Sequence, residues 1–308
     1  NGGQDMICAN IDYNWFSSSA DFSDRVYNHA FTSYMWSLFY KQIYIANSVI
    51  GSIPANTDDA ELKIYRGQAL AIRAYNYMQL AQTHQFTYIG HQDKPCVPIV
   101  TDETTEEQGM NNPRATVEAV YTLIMKDLNE AITLLDKYKR PDNGYVDQSV
   151  TYGLRARTNL LMGKYAEAAS DADQALTLSG AIPYTKKDVS SPAFWNATDK
   201  TVMWANIVVA SNRIVTSGII NAPSHLCTFY TDGYTGVGAW KKISKLLYDR
   251  IPSKDVRKGW WLDENLKSPL TEGEAYTNWF KKVIEGPGAE MFGPYTNGKV
   301  GADDNNLP

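Results

Sequence analysis

Along the first 180 residues, apolar positions recur at helical intervals. Val117, Val120, Tyr121, Ile124, Leu128, Ala131, Ile132 and Leu135 follow one another at steps of three, one, three, four, three, one and three. That spacing draws a single stripe down one helix. Thr116, after Pro113 and with Glu118 nearby, suits the helix start, and Asp142-Asn143-Gly144 ends the connection that follows. The same reading predicts a helix from Tyr34 to Ile53, closed by Pro54, and a long one from Asp58 to Thr83, capped by Asp58 or Thr57. Trp36, Tyr40 and Tyr44, at helical spacing, are expected in the core.

Gln148–Met162 and Tyr165–Leu178 form a pair, broken at Gly163-Lys164 and ended by Ser179-Gly180. Gly153-Leu154-Arg155-Ala156-Arg157 leads through Leu160-Leu161-Met162-Gly163-Lys164-Tyr165 to Ala168, Ala172 and Ala175. Small residues let two antiparallel helices approach, Gly163 makes the turn and Tyr165 plugs the junction. The pattern is that of a tetratricopeptide repeat, whose period is about 34 residues. The segments at 34–83 and 116–135 suit the same architecture.

After about residue 185 the texture changes. Gly, Pro, Ser, Asn and Thr punctuate short apolar stretches; Thr201–Ala210 reads as a buried strand and Lys242–Arg250 as a short helix. The remainder is long loop, a form that in a compact protein usually serves function. The expected fold is therefore mainly α: a tetratricopeptide-like scaffold over 1–184, then a loop-rich, aromatic-rich region with little β over 185–308, packed on it.

Composition narrows the function. A 308-residue chain with 44% hydrophobic and 20% charged residues is an ordinary globular protein. Its net charge is −5, with Lys and Arg scattered, which argues against a nucleic-acid or anionic-membrane surface. No apolar run approaches the roughly 20 residues of a membrane-spanning helix. The opening Asn1-Gly2-Gly3-Gln4-Asp5 reads as a mature or trimmed terminus. Cys8, Cys96 and Cys227 are too sparse for a disulfide framework or a zinc site, and buried free thiols are expected.

Catalytic marks are few. His29, His84, His91 and His225 lack metal-ligand spacing, and neither a metal nor a cofactor is expected. Gly293–Lys299 fits a phosphate loop until Val300 stands where Ser or Thr must bind magnesium. Gly233, Gly236 and Gly238 have the wrong order for a dinucleotide fingerprint. Nothing marks two carboxylates for glycoside hydrolysis, and Asp102-Glu103 and Glu106-Glu107 read as a solvated loop. Arg73, on a largely apolar helix, is read as a structural partner for a carboxylate or helix-end carbonyls.

The unusual number is the aromatic content, 12% of the chain. Six of the eight tryptophans fall after residue 185: Trp195, Trp204, Trp240, Trp260, Trp261 and Trp279. A sugar ring presents a face of C–H groups that packs on an aromatic ring, while its hydroxyls need polar partners. Trp240, in a glycine-rich loop, is the first candidate for such contact, followed by Tyr230, Tyr234, Trp260, Trp261 and Trp279. Trp195 and Trp204 are assigned to the core.

The order of several segments resembles the SusD/RagB family of outer-membrane nutrient-binding lipoproteins. Trp36–Ile50 looks like the family's first helix and Gly67–Tyr77 like its next. Cys96-Val97-Pro98-Ile99-Val100, Pro113–Glu118, Asp127–Ala131, Ala222-Pro223-Ser224, Tyr248–Ile251 and Asp255-Val256-Arg257 follow in sequence. The resemblance implies a non-catalytic, lipid-anchored cell-surface protein that binds oligosaccharides and delivers them to a SusC-like TonB-dependent transporter; some members take peptides. It also implies a site drawing on the loop after the second helix, where Tyr88, His91, Gln92 and Asp93 supply a ring and polar groups. The family's lipidated cysteine is absent from this chain, and members continue beyond Pro308 into further helical repeats, so a chain truncated at its C-terminus is expected. A repeat scaffold for peptides or protein partners, or a helical glycosidase, are the alternatives.

Overall fold

The structure, a computed structural model, describes residues 5–8, 17–190, 197–207, 209, 211–212 and 241–268. Within them the architecture is mainly helical, as the periodicity predicts. The elements run β1 (Met6–Cys8), α1 (Ser17–Ala20), a 3-10 turn (Ser23–Arg25), α2 (Ala30–Ser52), α3 (Ala60–His84), α4 (Glu106–Met110), α5 (Val117–Leu134), α6 (Gln148–Leu161), α7 (Tyr165–Ser179), α8 (Lys186–Val189), β2 (Lys241–Ile243), α9 (Lys245–Arg250) and a last 3-10 turn (Val256–Trp260).

The chain divides into two compact units. One takes the described parts of Asn1–His29, Pro183–Thr201 and Asn206–Pro308; the other is Ala30–Ile182 with Val202–Ala205. In the first unit β1 and β2 pair antiparallel, Ile7 opposite Lys242, and Ser244 N donates to Asp5 O at 2.8 Å. In the second, α2, α3, α5, α6 and α7 pack each on the next in chain order. All eight residues of the stripe read on α5 are buried, against Leu70, Tyr77, Met78 and Leu80 of α3 and Ile43 and Ile50 of α2.

Capping explains where the helices start. Thr116 Oγ1 accepts from Ala119 N and Asp147 Oδ1 from Val150 N, each covering an amide that helix geometry leaves unpaired. At α3 the cap is Asp59, which accepts from Glu61 N and Leu62 N, rather than Asp58 or Thr57. Helix α2 begins at Ala30, four residues before the sequence places it, because Phe31 and Tyr34 continue its turn. Gly163 lies at φ +76° in the α6–α7 turn, a conformation that costs other residues energy and glycine little.

Polar residues bind the helices together inside the core. The Arg73 guanidinium donates to both Asp127 oxygens (2.7 and 2.9 Å), to Asp102 Oδ1 (2.8 Å) and to Asn47 Oδ1 (2.9 Å), joining α2, α3, α5 and the loop after Val100. Arg73 is thus structural, as read. Asp102 is exposed as a residue, as read, but its side chain turns onto Arg73 and is about four-fifths covered. Glu106 and Glu107 do lie exposed, in α4. Arg66 closes the end of α2 by donating to Ile50 O and Ile53 O while pairing with Glu130. Arg155 and Asp171 make the matching bidentate pair between α6 and α7.

Four expectations fail here, the first being Tyr165 as a plug of the α6–α7 junction, since it is 66% exposed. The described residues of Thr201–Ala210 form no strand; they run irregularly, with Ala205 N donating to Asn143 O and Trp204 Nε1 to Gly144 O. The β-branched run instead lays Trp204 against the helical core, where its ring meets Tyr75 edge-on at 5.3 Å. Trp36 and Tyr44 are not core: the inward face of α2 belongs to Phe39, Ile43, Ala46 and Ile50, leaving Tyr44 69% exposed and Trp36 36%. Lys242–Arg250 splits into β2 and α9. Cys96 is a buried free thiol, and Trp195 lies outside the described residues.

Candidate functional site

The loop that follows α3 is fastened to the scaffold at many points. Cys96 N donates to Ala115 O and Ala115 N to Val97 O, while the first amides of α5 reach back into the loop, Val117 N to Lys94 O and Glu118 N to Gln92 O. Further along, Tyr40 Oη donates to Pro98 O, and Val100 is held by Tyr77 Oη on its amide and by Asn47 and Tyr77 on its carbonyl. Each bond removes freedom that a ligand would otherwise have to freeze out.

Within this frame, residues 86–94 present rings to solvent. His91 N donates to Tyr88 O across a turn whose third residue, Gly90, has φ +82°. The turn brings His91 over Phe86, ring centroids 5.3 Å apart and tilted 31°. Phe86 is 73% exposed. His91 Nδ1 lies 2.9 Å from Thr87 O, so in the neutral ring that nitrogen carries the proton and Nε2 is the acceptor. The Gln92 side-chain amide has no partner among the described residues, and Asp93, paired with Lys94 at 2.9 Å, is held below the usual carboxylate range by that lysine.

Tyr88 is also tied to the scaffold. Its hydroxyl donates to Glu118 and its ring meets Tyr121 at 4.9 Å, which pins the loop to α5. Burial, then the Glu118 bond, pushes its pKa up to about 12. At the other end of the loop Trp36 stands edge-on to His84 at 5.1 Å and against Tyr40 at 4.8 Å. Burial, with the Arg114 charge adding, keeps the His84 imidazole below its ordinary pKa.

The candidates from the sequence thus divide. Tyr88, His91, Gln92 and Asp93 share one short loop, and Phe86, not selected from the sequence, completes their aromatic surface. Trp260 and Trp261 belong to the other unit and are both half-buried; Trp260 Nε1 donates to Val189 O at 2.6 Å. Trp240, Tyr230, Tyr234 and Trp279 lie outside the described residues. Among the described residues no group of three His, Cys, Asp or Glu could hold a metal, and no helix is long and apolar enough to cross a membrane. The carboxyl that burial raises most plainly, Asp127, sits beneath Arg73 in the core.

Comparison with curated protein sequences gives no match. Among solved structures, the fold is similar to that of a SusD-like carbohydrate-binding protein of Bacteroides vulgatus, with a TM-score of 0.70 and 24% identity, covering 84% of this chain and 52% of that one. SusD superfamily proteins of Bacteroides thetaiotaomicron (TM-score 0.66, 17% identity, 97% and 63% covered) and Bacteroides fragilis (0.63, 19%, 89% and 62%) share it too. The chain therefore spans between about half and two-thirds of the length of these structures. A family profile described as starch-binding and associating with the outer membrane matches residues 4–160, more than half of the 308. The chain belongs to this SusD-like family.

Proposed function

We propose that this protein binds oligosaccharides at the cell surface and passes them, chemically unchanged, to a SusC-like TonB-dependent transporter in the outer membrane. A lipid anchor N-terminal to this chain would hold it there. The observation that carries the reading is the Phe86–His91 ring pair, with Phe86 exposed and His91 half-buried, on a loop bonded down to a helical scaffold, in a chain of a starch-binding family. A stacked pair offers a flat apolar face to the C–H side of a sugar ring. Around it the Gln92 amide, the Asp93 carboxylate and His91 Nε2 supply donors and acceptors for hydroxyls.

Phe86, His91, Gln92 and Asp93 are the contacts assigned in the helical unit, and Tyr88 positions their loop. Trp240, Tyr230, Tyr234, Trp260, Trp261 and Trp279 are the contacts assigned in the other unit. A few ring faces and exposed hydrogen bonds give modest affinity, which suits a protein that must release its ligand to a transporter.

Native electrophoresis through gels containing amylopectin, a β-glucan or inulin tests this. The intact protein is expected to be retarded in at least one gel, and Phe86→Ala with His91→Ala to abolish or greatly reduce the retardation. Unaltered migration of the intact protein in every gel would overturn the binding function. Retardation untouched by the double variant would overturn the assignment of the loop.

A further inference from the structure

A second aromatic surface runs along α3, and it is built from three distant parts of the sequence. Tyr65 stands one turn inside α3, Tyr138 and Tyr145 come from the α5–α6 connection, and Trp204 from the segment that returns to the scaffold. Several bonds gather them. Gln68, one turn beyond Tyr65, donates from Nε2 to Val146 O at 3.0 Å, which sets Tyr145 beside α3. Trp204 Nε1 reaches Gly144 O at 3.4 Å on the other side of Tyr145, and Tyr75 meets the Trp204 ring. The Gln68 bond thus sets Tyr65, one turn earlier on α3, and Tyr145, next to Val146, on neighbouring parts of one surface. Tyr65, Gln68, Ile72 and Tyr75, at helical steps, line one face of α3, and none of them is buried.

The exposed members are fixed in place. The Tyr65 hydroxyl donates to Glu61, and Arg140 donates to Tyr145 O at 3.3 Å while pairing with Asp147 at 3.1 Å. Yet Tyr65 is 46% and Tyr145 47% exposed, while Tyr138 packs half-buried on the core between helices.

Arg140 is neutralised by Asp147, while Glu61 accepts the Tyr65 hydroxyl and keeps its charge at one end of the rings. What faces solvent is ring surface, tyrosine hydroxyls and the Gln68 side-chain oxygen, which has no partner among the described residues. Such a surface is dominated by ring faces and hydroxyls, with Ile72 as its aliphatic member on α3. It fits a neutral ligand with alternating C–H faces and hydroxyls.

We infer that the face of α3 carrying Tyr65, Gln68, Tyr138 and Tyr145 is a second binding surface for neutral oligosaccharide, separate from the loop at 86–93. Two weak surfaces on one molecule hold a long polysaccharide better than either alone, because the second contact forms at high effective concentration. A short oligosaccharide gains nothing from the pair.

The test uses the same chain in amylopectin, β-glucan and inulin gels, with Tyr65→Ala/Tyr145→Ala, the ring-preserving Tyr65→Phe/Tyr145→Phe, and Phe86→Ala/His91→Ala run side by side. The alanine pair is expected to weaken retardation several-fold at an unchanged melting temperature, with the phenylalanine pair recovering most of it. Loss of retardation in the loop variant alone, with the alanine pair migrating as the intact protein does, would overturn this second surface and leave the first standing. Equal loss in the alanine and phenylalanine pairs would overturn stacking as its basis. Absence of retardation of the intact protein in all three gels would overturn both surfaces. Concentration-dependent dimerisation in sedimentation, removed by the alanine pair, would assign the face to self-association instead.

Discussion

Replacing Arg73 by Met tests how much the buried ion cluster matters. The Arg73 side chain is 5% exposed and that of Asp127 1%, so solvent screens neither. Met keeps most of the stem and removes the guanidinium. Asp127 then loses both of its donors, and Asn47 and Asp102 lose one each. Leaving one partner of a buried pair uncompensated costs about 3–5 kcal/mol. For a helical unit of this size that lowers the melting temperature by roughly 6–20 °C. The pH dependence identifies the cause. Burial pushes the Asp127 carboxyl up and Arg73 pulls it back down. Without Arg73 the main downward pull is gone, and burial carries the folded pKa above the unfolded one. The penalty is then complete above the folded pKa and disappears as pH falls through it toward the unfolded value of about 3.9. Thermal melts of both proteins from neutral pH down to about pH 5 should show the gap narrowing. Arg73→Met with Asp127→Leu should regain much of the loss, because an apolar pair needs no compensation. A gap that is constant with pH, or a double variant no better than the single one, would refute the reasoning.

Two further outcomes follow from packing and titration. A Cβ on Gly67 would lie 2.8 Å from Leu135 Cγ and 3.1 Å from Leu134 Cβ. Gly67→Ala should therefore destabilise the protein by about 1–2 kcal/mol in urea titration, the overpacking outweighing a helix-propensity gain of about 1 kcal/mol; a more stable variant would show that α5 yields freely. His84, whose pKa burial lowers, contributes stability that is present above its unfolded pKa of about 6.5 and is lost as pH falls below it. His84→Phe should flatten the fall of the urea midpoint across that range, and identical slopes in both proteins would exclude His84 as its source.

The helical half was legible because burial there is periodic. The stripe on α5 could be read residue by residue, and Asp147 and Thr116 cap where a short polar side chain precedes an apolar run. Where two neighbours could do the same work, pattern did not choose: Asp58 and Asp59 both can cap, and backbone geometry selects Asp59. On α2 the aromatic spacing misled, since Tyr44 lies about 100° around the helix from the buried Ile43. Thr201–Ala210 has strand composition but pairs with no strand among the described residues, and its hydrogen bonds go to the loop at Asn143–Gly144.

The candidate surfaces were harder to see for a plain reason. Phe86 and His91 are five residues apart in a loop, joined only through the turn at Gly90, and no period marks such a pair. Resemblance directed attention to the loop and to His91; an exposed Phe directly after a helix end was the one local sign of its partner. Tyr65 and Tyr145 come to one surface only through the Gln68–Val146 bond between distant segments, so no window of sequence contains them.

Calorimetric titration of a soluble starch or β-glucan into the intact protein reaches the central claim most directly, since heat registers binding and hydrolysis alike. The account predicts a saturable isotherm in at least one case, ending in flat baselines, that is abolished or greatly weakened by Phe86→Ala with His91→Ala. A sustained heat of hydrolysis after saturation, or an isotherm that the double variant reproduces, would contradict it.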